Sequence, residues 1–146
     1  MTIRTKAHRR GRVNAVAVGG LLVLGLLLWW AVTWMSGPPR LKENQGREIA
    51  TAFLAEIRRG NVDAAWEGTS AEFKSLLGLE GMRTYVKKHP GLKKEAEFTR
   101  EAKVESNGLS LAEVVFREPT GGAEVKVLLA PEGGTWKVER LVADGK

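Results

Sequence analysis

Cysteine is absent from this 146-residue chain, so disulfide frameworks, thiolate nucleophiles and cysteine metal sites are excluded. That absence is compatible with either side of a membrane. Histidine occurs only at His8 and His89, tyrosine only at Tyr85, and aspartate only at Asp63 and Asp144. General acid–base chemistry needs a positioned pair of titratable groups with tuned pKa values. Asp63 is placed to support the start of a short helix, Asp144 falls in the C-terminal tail, and His89 sits in a basic loop between Lys88 and Pro90. No partnered acid/base set emerges, so the reading is non-enzymatic, with no catalytic residue. His8 and His89 would lie on opposite sides of the membrane predicted below, and one histidine builds no transition-metal site. The expectation is no metal and no cofactor.

What the chain does have is positive charge, formally +6, but it is concentrated at one end. Arg4, Lys6, Arg9, Arg10 and Arg12 form an acid-free tail, leaving 18 basic against 17 acidic residues from Val13 onward. The remainder is nearly neutral, which removes the main argument for nucleic-acid binding.

Between Ala15 and Met35 no side chain is charged. About 20 helical residues cross a roughly 30 Å hydrocarbon core, so residues 13–35 read as a transmembrane helix after a basic tail of residues 1–12. Trp29, Trp30 and Trp34 cluster near its exit, as interfacial anchors do. A cleaved signal peptide also begins with a basic tail, but its apolar core is shorter and ends in small residues. Here the run ends in Trp34-Met35 and is followed by Gly37-Pro38-Pro39, which favours an uncleaved anchor. Arg9-Arg10 lacks the apolar pair that follows in a twin-arginine signal. Five basic residues precede the span, against Arg40, Lys42 and Arg47 soon after it, placing the N-terminus in the cytoplasm and the domain outside it. The expected localisation is the cell (inner) membrane.

After a connector of residues 36–44, Ile49, Phe53, Leu54 and Ile57 recur at helical spacing, predicting a helix from about Lys42 to Arg59 with Gly60 as its stop. Asn61 is the expected cap of a short helix from Val62 to Glu67, and Thr69 with Glu72 the capping box of a third containing Phe73, Leu76 and Leu77. A fourth runs from Glu80 to Lys88, before Pro90-Gly91. The period then changes to two. Phe98, Arg100, Ala102 and Val104 share one face of a first strand, and Asn107-Gly108 forms a two-residue hairpin turn. Ala112, Val114 and Phe116 share a face of the second, whose other side also carries Leu109, Leu111 and Val115. Val125, Val127 and Leu129 mark the third, and Trp136, Val138 and Leu141 the fourth. Helices followed by a four-stranded antiparallel meander make residues 45–142 an α+β domain, with residues 143–146 as a tail.

Phe53-Leu54, Arg59-Gly60-Asn61, Ala64-Ala65-Trp66, Ser70-Ala71-Glu72-Phe73-Lys74 and Gly134-Thr135-Trp136-Lys137-Val138, in that order, resemble the small bacterial members of the nuclear-transport-factor-2-like superfamily. The resemblance covers Gln45 to Val142. It implies helices packed into the concave side of a curved sheet, a cone with a pocket at its mouth. Membrane-anchored members of unassigned activity are the nearest in layout. A competing likeness is to membrane-anchored cytochrome-oxidase assembly proteins, which also close with a strand hairpin like Gly122 to Leu141.

Two groups of candidate residues follow. Trp66, Phe73, Tyr85, Phe98, Phe116 and Trp136 are expected to line a pocket for a small apolar ligand or to fill the core. Arg83, Lys87, Lys88, Lys93 and Lys94 lie between Gly81 and Lys94 with no acid among them, and are either a solvated surface or contacts to anionic lipid head groups. The functional expectation is a membrane-anchored binding or assembly module with a protein partner or self-association. A pocket-based enzyme or carrier is the alternative.

Overall fold

The computed structural model describes residues 39–106 and 108–144. The predicted tail and membrane span, Asn107 and the last two residues lie outside the described residues. Among the described residues, no helix is long and apolar enough to cross a membrane. They form four helices packed on a four-stranded antiparallel sheet, an α+β arrangement.

Helix α1 spans Gln45–Arg59 and buries Ala50, Phe53, Leu54 and Ile57 on one face. Each large apolar side chain of this kind contributes about 1.5–3 kcal/mol on full burial. The helix begins at Gln45, three residues later than predicted, because Asn44 has a left-handed backbone (φ 65°). Beside this start, the N–H of Arg47 donates to the Glu101 carboxylate at 3.2 Å. At the other end Gly60 takes φ 85°, its N–H donating to the Ile57 carbonyl (3.1 Å) and that of Asn61 to Glu56 (2.9 Å). This paired closure satisfies two carbonyls that would otherwise lack partners.

Helix α2 (Val62–Glu67) has the predicted bounds, but Asn61 does not cap it. The Asn61 amide donates to Glu56 instead, at 2.9 Å. Helix α3 (Ala71–Leu76) is capped by Ser70 rather than Thr69: the Ser70 hydroxyl accepts from the N–H of Phe73 at 3.0 Å. Thr69 is unavailable because its hydroxyl donates to the Trp66 carbonyl at 2.7 Å and its backbone is paired with Val138. Leu76, expected within this helix together with Phe73 and Leu77, is 62% exposed, whereas Phe73 is buried. Helix α4 (Leu79–Lys88) buries Met82 and Val86, and a 3-10 turn, Pro90–Lys93, inserts Leu92 into the core.

Strands β1 (Glu97–Ser106), β2 (Leu109–Arg117), β3 (Glu124–Glu132) and β4 (Thr135–Ala143) pair in sequence order. Gly108 at φ 75° completes the first hairpin turn. Two irregularities alter the alternation of faces. In β1, Phe98 pairs with Phe116 but Arg100 with Val115, so Thr99 is the extra residue. Phe98 therefore faces the helices while Arg100, Ala102 and Val104 face away, correcting their predicted common face. In β4, Leu128 pairs with Arg140 but Leu129 with Val138, leaving Glu139 as the extra residue. That bulge is why Val138 and Leu141, three apart, both reach the helix-side core.

Thr69 and Ser70 bind the edge of β4 at this bulge. The Ser70 N–H donates to the Val138 carbonyl at 2.9 Å, and its hydroxyl donates to Glu139 at 2.5 Å. Both residues are buried and fully bonded, as buried polar groups must be to avoid a desolvation penalty.

Candidate functional site

Between the helices and the sheet, Phe53, Leu54, Ile57, Met82, Val86 and Leu92 share one buried cluster with Val114, Val127, Leu129 and Val138. The six aromatic residues expected to line a pocket or fill a core belong to this packing. Phe73 and Phe116 are buried; Trp66, Tyr85, Phe98 and Trp136 are half-buried against the same cluster. Phe73 meets Phe53 edge-on with ring centroids 6.4 Å apart, and Phe98 meets Phe116 likewise at 6.2 Å. The Trp66 indole N–H donates to the Leu77 carbonyl at 2.8 Å, and the Lys74 ammonium lies 4.9 Å from the centre of its ring.

The pairing register separates the sheet into two ends. One end holds the β2–β3 turn and the last residues of β4. Here the Tyr85 hydroxyl accepts the N–H of Ala143 at 3.0 Å, joining α4 to β4. The sequence placed His89 in a solvated loop; it is instead half-buried, its ring stacked on Tyr85 at 4.1 Å and its Nδ1 2.9 Å from the Tyr85 carbonyl. Closing α4 onto Pro90 folds the imidazole back against the preceding turn.

The basic run at this end is not a uniform patch. Arg83 forms a fork with Asp63, Nε to Oδ1 at 3.0 Å and Nη2 to Oδ2 at 2.5 Å, and also contacts Glu80. Hydrogen bonding from that guanidinium holds the Asp63 carboxyl below its ordinary value, while Asp63 raises Arg83. Lys94 pairs with Glu118 at 2.9 Å. Lys87, Lys88 and Lys93 are exposed, with no ion-pair partner among the described residues. A cleft of about 220 Å³ beside His89 is bordered by Lys88 and Lys94 but also by Glu118 and Asp144. Its mixed charge singles out neither an anionic nor a cationic ligand.

The opposite end holds the β1–β2 and β3–β4 turns. The Trp136 indole N–H donates to the carbonyl of Pro39 at 3.0 Å, fastening the entering chain to the start of β4. Around that bond lies a groove of about 550 Å³, walled by Leu41, Leu109, Pro131 and Trp136. Arg40 and Lys103 stand at its rim with no carboxylate among its described lining residues, while Glu101 and Glu105 flank Lys103 on the same face of β1. Leu109, the first residue after the hairpin turn, is 55% exposed. The sequence identifies Trp136 but none of these companions. The available signal was the short stretch between Met35 and the Pro38-Pro39 break.

On the sheet face away from the helices, apolar and charged side chains alternate in register: Val104 with Leu111, Ala102 with Glu113, and Arg100 with Val115. Arg100 and Glu113 form an ion pair at 2.8 Å, and Leu111, Val115 and Ala130 are buried among their neighbours. Leu109 and Val142 are the more open apolar residues there, at 55% and 37% exposure. Among the described residues no cluster of three or more histidine, aspartate or glutamate side chains has the arrangement to hold a metal ion. No protein-family model matches the chain, and no curated protein matches it.

Proposed function

We propose that this chain is a single-pass, membrane-anchored binding or assembly module. Its N-terminus is cytoplasmic, and its α+β domain lies outside the cytoplasm and meets a protein partner without turning over a substrate. The observation that carries this reading is the filled interior. Where the resemblance to the nuclear-transport-factor-2-like superfamily implies a pocket, large apolar side chains pack from helix to sheet. The order of helices followed by a meander supports that resemblance. The groups best suited to proton transfer serve structural ends: the Tyr85 hydroxyl holds β4, and His89 packs on Tyr85. A tether that confines encounters to one membrane surface raises the effective concentration of a partner in the same membrane.

The test is affinity purification from detergent-solubilised membranes with mass spectrometry, in parallel with Tyr85→Phe, His89→Ala and Asp63→Asn. A stoichiometric partner that survives all three substitutions is the expected result. Loss of the cellular phenotype in one of them, at unchanged protein level, would replace the binding role with a chemical one at that residue. Protease added to spheroplasts is expected to remove the domain while sparing an N-terminal tag.

A further inference from the structure

We infer that β1 is a self-association edge, at which two copies of this chain pair antiparallel with Ala102 facing its own counterpart. The inference supplies a partner for the binding role above, and rests on that reading only in taking the partner to be a protein. Ser106 and Leu109 face each other across the two-residue turn, so they form a hydrogen-bonded pair. Alternation along the ladder then turns the backbone N–H and C=O groups of Glu101, Lys103 and Glu105 away from β2. No described backbone segment takes these groups up. An edge left open in this way is a template for another strand.

The side chains of the same three residues select which strand. All three lie on the helix side of β1, opposite Val114, Ala112 and Ser110, and Glu101 is held there by accepting the Arg47 N–H. None of them has an ion-pair partner among the described residues. Two identical antiparallel strands are centred on a residue that faces its own copy. Centring on Lys103 opposes Lys103 to Lys103 and Glu101 to Glu105, and centring on Glu101 or Glu105 sets carboxylate against carboxylate. Centring on Ala102 opposes Glu101 to Lys103 twice, and lays residues 98–106 of both strands together with Glu105 opposite the bulged Thr99. Centring on Val104 also opposes Lys103 to Glu105, but over residues 102–106 alone. Directly opposed unlike charges favour a pairing and like charges oppose it, so the order Glu-Lys-Glu selects Ala102. A cleft of about 550 Å³ between residues 41–44 and Phe98, Arg100 and Lys103 leaves room beside this edge for the second copy's side chains.

The cysteine-free chain lets single cysteines report this register. In it Ala102 meets its counterpart as a non-hydrogen-bonded pair, about 4.5 Å apart at Cα, a separation that a disulfide spans. Full-length Ala102→Cys, with Val104→Cys and Thr120→Cys for comparison, is oxidised with copper phenanthroline in detergent micelles. The expected result is cross-linking several-fold faster at Ala102 than at either other position. Adding Lys103→Glu, or Glu101→Lys, to Ala102→Cys should return its rate to that of Thr120→Cys. Mixing the two singly reversed chains should restore fast cross-linking, because every opposed pair is then again unlike in charge; that recovery also shows both to be folded. Cross-linking at Ala102 no faster than at Thr120 overturns the pairing, and faster cross-linking at Val104 overturns the register. A rate at Ala102 that neither reversal changes overturns the selection by charge. Where pairing fails and affinity purification still recovers a different protein, the second copy is overturned as the partner while the binding role stands.

Discussion

Ser70 and Trp136 each do work that their neighbours cannot take over. Ser70 accepts from Phe73, donates to Glu139 and pairs its backbone with Val138, all while buried. Ser70→Ala removes the cap and leaves Glu139 without its donor, an expected loss of about 2 kcal/mol. Chemical denaturation should record it as a lower midpoint at unchanged slope. Thr69→Ala, which keeps the cap, is expected to cost less. For Trp136, full burial would predict a loss of about 3–5 kcal/mol on truncation to alanine. The indole is half-buried, and its polar edge faces Pro39 rather than the core. Trp136→Phe isolates the bond and should cost about 1 kcal/mol. It should also raise proteolytic cleavage near Pro39 in the otherwise folded chain. Undiminished protection there would mean that the indole bond does not hold the entering segment.

At the scale of elements, acid should loosen the docking of α3 and the β2–β3 edge. Glu132 is held below the ordinary glutamate value by the Lys137 ammonium and the Ala71 N–H, and Glu124 by Arg117 and Lys126. A carboxylate depressed on folding contributes stability that is complete above its unfolded value, 4.5, and disappears as pH falls through the lower folded value. Thermal midpoints are therefore expected to be flat with respect to these two groups above about pH 5 and to fall below it. Glu132→Gln should shallow that acid decline. Helix periodicity, Gly60, the Asn107-Gly108 turn and the order of strands were legible in the sequence because each is a local preference. The bulges were not, since an inserted residue leaves both halves of a strand alternating correctly. Only the three-residue step from Val138 to Leu141 betrayed one. Leu92 was missed for a similar reason: a 3-10 turn is too short to show a period. Of the candidate site, Trp136 was legible as a large apolar residue. Its partner Pro39 was not, because 97 residues separate them and only the fold brings them together.

For the whole molecule, the described residues form a core complete in itself, within a compact unit that begins at Pro38. The fragment from Pro39 to Lys146 is expected to unfold in one cooperative transition, with calorimetric and van't Hoff enthalpies in agreement. A broad transition, or dependence on detergent, would show that the preceding segment is needed for folding. The two borders of the sheet also differ. Thr69 and Ser70 occupy the middle of the β4 border, where the bulge further breaks the ladder. No described backbone segment pairs with the outer border of β1, which carries Arg100, Glu101, Lys103 and Glu105 along its length. Its charges discourage casual pairing. Among the described residues, a second copy added along the β1 border, edge to edge about a two-fold axis, would use that border up in both copies. Strand addition through β1 alone therefore ends at a closed pair, because the bridge of Thr69 and the bulge at Glu139 interrupt the ladder that the β4 border would need to extend it.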